Sequence, residues 1–287
     1  MAAFEDRYYN SADGVRLHYR DYAGGEPEQP PIICLPGLTR NARDFEPVAD
    51  RFAGEWRVIA LDFRGRGLSD PDPQPGRYLP PTYARDVLKL LDQLGIADAV
   101  FVGTSLGGLT TMLISAMEEE RIAGALINDI GPEVSPAGIE RIKGYVGKPT
   151  SWPDFAAAGA AFADRAGDVY PDWAPANWER FARRCCREEN GKVVLDYDMA
   201  IAQPFTAANE AVQPDLWPLI DNLKGKPVVI LRGELSDLFS AETATKMVEV
   251  LGPSAELVTI ERVGHAPSFD EPASIAAVER LLARVPR

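Results

Sequence analysis

Gly103-Thr104-Ser105-Leu106-Gly107 sets a serine between two glycines in the spacing G-x-S-x-G. A β-type run, Ala99-Val100-Phe101-Val102, precedes it, and a helix-compatible run, Gly108 to Ile114, follows. On so sharp a turn the serine hydroxyl projects above the sheet, and only glycine-sized neighbours let the chain fold back that tightly. A serine hydroxyl is a poor nucleophile until a base takes its proton, and that base is usually a histidine held by a carboxylate. The chain has two histidines. His18 lies in an opening strand pair and reads as a half-exposed strand residue. His265, in Val263-Gly264-His265-Ala266-Pro267, follows the last strand, and loops at the carboxyl ends of strands form the sites of α/β sheets. The order Ser, acid, His asks for a carboxylate from another strand end. Asp237, in Leu231-Arg232-Gly233-Glu234-Leu235-Ser236-Asp237, is favoured. Glu234 on the same loop and Asp129, at the end of the strand after the nucleophile helix, are the alternatives. Two backbone N–H groups suit a developing oxyanion: Leu106 at the positive end of the helix, and Leu38 in Leu35-Pro36-Gly37-Leu38-Thr39-Arg40, where Gly37 lets the backbone turn.

These residues need strands that end at one edge, and the chain supplies them. Around Arg7–Asn10 and Val15–Arg20 a pair of β-rich runs flanks Ala12-Asp13-Gly14, a hairpin signal. Buried strands follow at Pro31–Leu35, Arg57–Leu61, Ala99–Val102 and Ala125–Asn128. Helical patterns lie between them near Phe45–Phe52 and Thr82–Leu94, the latter with Val87, Leu88, Leu90, Leu91 and Leu94 at helical spacing. Alternation stops from about Gly131 to Pro214, a stretch rich in Ala, Trp, Phe and Tyr with helical patterns at Trp152–Phe162 and Asn177–Arg187. It resumes with strands at Pro227–Leu231 and Glu256–Ile260 and helices at Ala241–Leu251 and Pro272–Ala283. This predicts one α/β domain, residues 1–130 and 215–287, with a mostly parallel eight-stranded sheet covered on both faces, interrupted by a helical insertion over 131–214.

A net charge of −13 over 287 residues argues against nucleic acid and anionic membrane as partners, because Lys and Arg hold phosphate backbones. It also disfavours strongly anionic substrates, unless a local patch overrides the mean. The first residues show neither a basic n-region nor an apolar h-region, and no apolar run is long enough to span a bilayer, so a cytoplasmic location is expected. Cys34 reads as a core strand residue. Cys185 and Cys186, adjacent in a basic helical stretch, do not resemble a metal or disulfide framework; no cofactor or metal is expected.

The nucleophile turn, the loop Asp62-Phe63-Arg64-Gly65-Arg66-Gly67-Leu68-Ser69-Asp70, the Arg232–Asp237 acid loop and the Gly264-His265-Ala266 loop together resemble the α/β-hydrolase superfamily. The resemblance covers essentially the whole chain apart from the insertion, which is similar to the superfamily's variable helical cap. It implies a Ser105–His265–Asp237 triad and an oxyanion hole from the Leu38 and Leu106 amides. Pro36-Gly37 departs from the His-Gly of many relatives, which bears on pocket polarity beside the acyl group rather than on proton transfer. The implied reaction is acyl transfer to water on a small-molecule ester or lactone, with activity falling below about pH 6.5 as the base protonates. Haloalkane dehalogenase and epoxide hydrolase chemistry needs a carboxylate nucleophile, which Ser105 is not.

Aromatic residues of the insertion, Trp152, Phe155, Phe162, Tyr170, Trp173 and Trp178, are candidates for pocket walls or for cap core. Of these, Trp152, Phe155, Tyr170 and Trp173 are taken as substrate-binding. Arg180, Arg183, Arg184 and Arg187 form a solvated helix face or meet a substrate carboxylate. Three functions fit: a carboxylesterase-type hydrolase of small or medium apolar esters; a lactonase or carbon–carbon hydrolase of ring-cleavage products, which would need a more polar pocket; and a ligand receptor on a hydrolase fold.

Overall fold

The computed structural model describes residues 1–207 and 215–286. Eight strands form one sheet: β1 (Glu5–Asn10), β2 (Arg16–Tyr22), β3 (Ile32–Leu35), β4 (Val58–Leu61), β5 (Ala99–Thr104), β6 (Ile122–Asn128), and, after the insertion, β10 (Val228–Gly233) and β11 (Ala255–Ile260). Their order is β1-β2-β4-β3-β5-β6-β10-β11. β1 pairs antiparallel with β2, and β2 with β4; every later pairing is parallel. The expected eight-stranded, mostly parallel sheet is what the chain forms.

Alternate residues of each central strand feed opposite faces, as the two-residue period of a strand requires. Ile33, Phe101 and Ile230 enter one hydrophobic core, and Ile32, Val100 and Val229 the other. The first core is closed by α2 (Pro80–Leu94) and α3 (Leu106–Met117), and by α8 (Trp217–Asp221) and α9 (Ala241–Leu251). The second is closed by α1 (Glu46–Phe52) and α10 (Pro272–Leu282). Because both faces are covered, the central strands read as unbroken apolar runs.

Between β6 and β10 come α4 (Pro136–Lys143), β7 (Ser151–Trp152), α5 (Phe155–Ala166), α6 (Pro175–Cys185), β8 (Cys186–Glu189), β9 (Lys192–Leu195) and α7 (Ala202–Ala207). The expectation of an all-helical segment is incomplete, since β7, β9 and β8 make a three-stranded antiparallel sheet. The helix expected to reach Arg187 stops at Cys185 because a hairpin begins there. Asn190 and Gly191 form its two-residue turn with φ of 51° and 73°, the paired positive values such a turn demands. Asn-Gly was the sequence signal for it. The expected end of the insertion, residue 214, lies outside the described residues.

His18 departs from its expected half-exposure. It is 1% exposed, with Nδ1 2.8 Å from Asp62 Oδ2 and Nε2 2.9 Å from Asp6 Oδ1, and it ties β2 to the loop after β4. Cys34 is buried in β3 as expected. No helix among the described residues is long and apolar enough to cross a membrane.

Candidate active site

The strand order reverses between β3 and β5, so the loops leaving their carboxyl ends diverge and open a crevice. Ser105 stands there, between the end of β5 and the start of α3, with φ 51° and ψ −113°. Side-chain-bearing residues rarely adopt such a backbone, and it is held here by contacts on both sides. Ser105 N–H donates to Asn128 O at 2.8 Å, and Ser105 O accepts from Leu109 N–H at 3.0 Å. The glycines are explained by close approach. A β-carbon on Gly107 would collide with the Leu35 carbonyl, and one on Gly103 with the Gly107 backbone. Gly107→Ala is therefore expected to cost about 3 kcal/mol or more, a fall in Tm of about 6–12 °C read by thermal denaturation.

The loop after β3 passes directly beside Ser105: a β-carbon on Gly37 would lie 3.9 Å from Ser105 Cβ. Arg66, fully buried, donates from Nε to Leu38 O at 2.9 Å and from another nitrogen to Tyr83 Oη at 3.0 Å, which fixes the peptide beyond Leu38. Leu106 opens α3, where an amide has no carbonyl four residues back in the helix to bond.

His265 Nε2 lies 3.0 Å from Ser105 Oγ. Its Nδ1 lies 2.7 Å from Oδ2 of Asp129, not of Asp237. Asp129 follows directly on β6, fully buried and with φ 55°. Its Oδ1 accepts from Gly233 N–H at 2.8 Å and its Oδ2 from Ser236 Oγ at 2.6 Å, so two donors hold the carboxylate against the imidazole. A carboxylate oxygen only accepts, so Nδ1 carries the hydrogen and Nε2 is left to accept from Ser105. The favoured acid, Asp237, is corrected: it turns to α4, where Arg141 binds it through Nε at 2.5 Å and a second nitrogen at 2.7 Å. Those hydrogen bonds hold the Asp237 carboxyl below its ordinary range. Glu234, the other alternative, accepts from Arg262 N–H at 2.8 Å.

A serine on a strand-to-helix turn, its histidine on the loop after the last strand and a buried carboxylate, all at the carboxyl edge of one mostly parallel sheet, can be set beside known proteins. A family model described as the alpha/beta hydrolase family matches residues 32–278. The chain is an α/β-hydrolase. It is 33% identical over 273 residues to a 3-hydroxybutyrate-oligomer hydrolase of Cupriavidus necator, covering 91% of this chain and 90% of that one. A 2-(acetamidomethylene)succinate hydrolase of Mesorhizobium japonicum is 28% identical over 255 residues, 88% and 85% of the two chains. The crystal structure of an alpha/beta hydrolase from Novosphingobium aromaticivorans matches with a TM-score of 0.94 at 53% identity, over 99% of this chain and 100% of that one.

In this α/β-hydrolase Ser105 and His265 open into a cavity of about 410 Å³. Its apolar wall comes largely from the insertion: Ile142, Phe162, Val169, Tyr170 and Phe181. Of the four aromatic residues expected to bind substrate, only Tyr170 lines it. Trp173 stacks behind Tyr170 with ring centroids 3.8 Å apart, Trp152 packs on Phe162 at 5.3 Å, and Phe155 lies under Arg183. They are insertion core because the apolar faces of α5 and α6 meet each other before they meet the cavity. Trp178 joins the same core. Tyr170 does more than line the wall: its hydroxyl donates to Ala266 O at 2.6 Å, and Gly264 N–H donates to Val169 O at 2.7 Å, so the insertion grips the histidine loop on both sides of His265. Burial pushes the Cys185 thiol in the cavity wall up to about 12, which leaves it a poor nucleophile. The arginine run is divided: Arg183 and Arg187 pair with Glu179 and Glu189, whereas Arg184 is buried on Asp270.

Proposed function

We propose that this α/β-hydrolase cleaves carboxylic esters through an acyl-Ser105 intermediate. The observation that carries this reading is the unbroken chain Ser105 Oγ, His265, Asp129, opening into a cavity. Ser105 Oγ attacks the ester carbonyl while His265 Nε2 takes its proton. The Leu38 and Leu106 N–H groups, beside the attacked carbon, receive the oxyanion. His265 then gives its proton to the leaving oxygen, and a water deprotonated by the same nitrogen releases the acid and restores Ser105. Asp129 keeps Nδ1 protonated and stabilises the imidazolium formed at each step.

The described part of the segment 131–214 serves as a cap that walls the cavity. A volume of about 410 Å³ suits a small or medium substrate. The relative named as a 3-hydroxybutyrate-oligomer hydrolase supports short hydroxy-acid esters as a class to test. A second reading, lactone or carbon–carbon hydrolysis of a ring-cleavage product, is favoured by one observation: arginines line the same cavity, a polarity that a carboxylated substrate needs.

The test is a panel of 4-nitrophenyl esters from acetate to decanoate, with a fluorophosphonate probe followed by peptide mapping. Turnover of short or medium esters and labelling at Ser105 are expected. Absence of both turnover and labelling would sink the serine mechanism. Labelling at Ser105 without ester turnover would move lactones and ring-cleavage products ahead.

A further inference from the structure

The chain as a whole is acidic, at −13, yet the cavity is basic: Arg40, Arg141, Arg165 and Arg184 line it, against the single lining carboxylate of Asp44 among the described residues. Three of these arginines are already engaged. Arg40 Nε donates to Asp44 at 2.7 Å, Arg141 forks onto Asp237, and Arg184 forks onto Asp270 at 2.9 and 3.1 Å. Arg165, near the end of α5 and exposed at the cavity rim, has no carboxylate partner and no hydrogen-bond acceptor among the described residues. Its guanidinium carbon instead lies 4.9 Å from the centroid of the Tyr145 ring and 5.4 Å from that of Phe162, two walls of the cavity. With no acceptor taken among the described residues, its N–H donors stay available, in a fork whose spacing matches a carboxylate.

We propose that Arg165 receives a carboxylate carried by the substrate, so that this site prefers anionic esters over neutral ones of equal length. The inference rests on the ester-hydrolase reading above and narrows its substrate class. The other three arginines are poorer receivers, because the charge of each is already matched by a carboxylate it holds. Pinning by two rings also lowers the ordering cost that an exposed arginine otherwise meets on binding.

Two matched pairs test it: 4-nitrophenyl pentanoate against mono-4-nitrophenyl glutarate, and phenyl butyrate against 4-carboxyphenyl butyrate. They place the carboxylate on the acyl and the leaving part in turn. Wild type is expected to favour the anionic member of at least one pair in kcat/KM. Arg165→Gln should lower that member about tenfold, a forked charge-assisted contact discounted for its exposure, with the neutral member within about twofold. Arg165→Lys should fall between. Equal loss on both members, or no loss on either, overturns the assignment while leaving ester hydrolysis standing. Calorimetric binding of glutarate to wild type and Arg165→Gln reads the contact without turnover. About tenfold weaker binding to the variant supports the proposal, and equal affinity overturns it even if no ester is hydrolysed.

Discussion

Ser105→Ala is expected to lower kcat by about 10⁶-fold on any ester the wild type hydrolyses, with little change in KM. The reason is local. Among the described residues Ser105 Oγ has one hydrogen-bond partner, His265 Nε2 at 3.0 Å, and in the proposed mechanism it supplies the atom that forms the acyl bond. No other hydroxyl among the described residues bonds His265 Nε2. The backbone at φ 51° should tolerate alanine as it tolerates serine, since both carry a β-carbon and the main-chain bonds to Asn128 and Leu109 stay in place. Tm is therefore expected within about 3 °C of wild type, so an inactive variant would be a folded one. A residual rate about 10³–10⁴-fold above water would be the share of the two backbone donors and of binding. A variant that kept even a hundredth of wild-type kcat would remove Ser105 from the nucleophile's role.

Asp129→Asn is expected to lower kcat by about 10⁴-fold, and Asp237→Asn by no more than a few-fold. Asparagine fits the site in shape and is one of the few residues at ease with a φ of 55°. What changes is the hydrogen bonding. Asp129 takes three donors, from His265 Nδ1, Gly233 N and Ser236 Oγ, and an amide has only one oxygen to offer them. Its NH₂ would face a donor, and the imidazole is driven to the tautomer whose Nε2 carries the hydrogen and cannot accept from Ser105. Asp237, by contrast, is bound to Arg141 and reaches His265 only through space, so its loss removes an ion pair at the cavity edge. Measuring kcat for both variants decides between them, and the reverse ranking would return the acid's role to Asp237.

Much of this was readable along the chain. The glycines flanking Ser105 pointed to a turn too tight for side chains, and the collisions that β-carbons at Gly103 and Gly107 would make give the reason. The α/β alternation foretold the sheet because strands covered on both faces are apolar without interruption, and α9 has the bounds its pattern implied. The insertion was less legible. Its Trp and Phe residues mark burial but not what they are buried against, so Phe162 and Phe181 reached the cavity while Trp152, Phe155 and Trp173 did not. The turn at Asn190-Gly191 was readable, but the helical pattern before it reads on to Arg187. The roles of Arg66, which fixes the peptide after Leu38, and of Ser236, which holds Asp129, were not legible, because they depend on partners 28 and 107 residues away.

The sequence by itself determined where Ser105 and His265 stand, at one edge of the sheet, because a G-x-S-x-G turn between strand and helix and a histidine past the last strand leave little freedom in where they point. It did not determine which carboxylate meets His265. Asp129 and Asp237 both lie between Ser105 and His265 in chain order, and both follow strands, β6 and β10, that are neighbours in the sheet. Only the tertiary structure decided. It buried Asp129 under two donors beside the imidazole, and it brought Arg141, from an insertion that begins in between, to draw Asp237 away. A carboxylate goes to the partners that surround it in space, and those partners are set by packing between segments far apart in the chain.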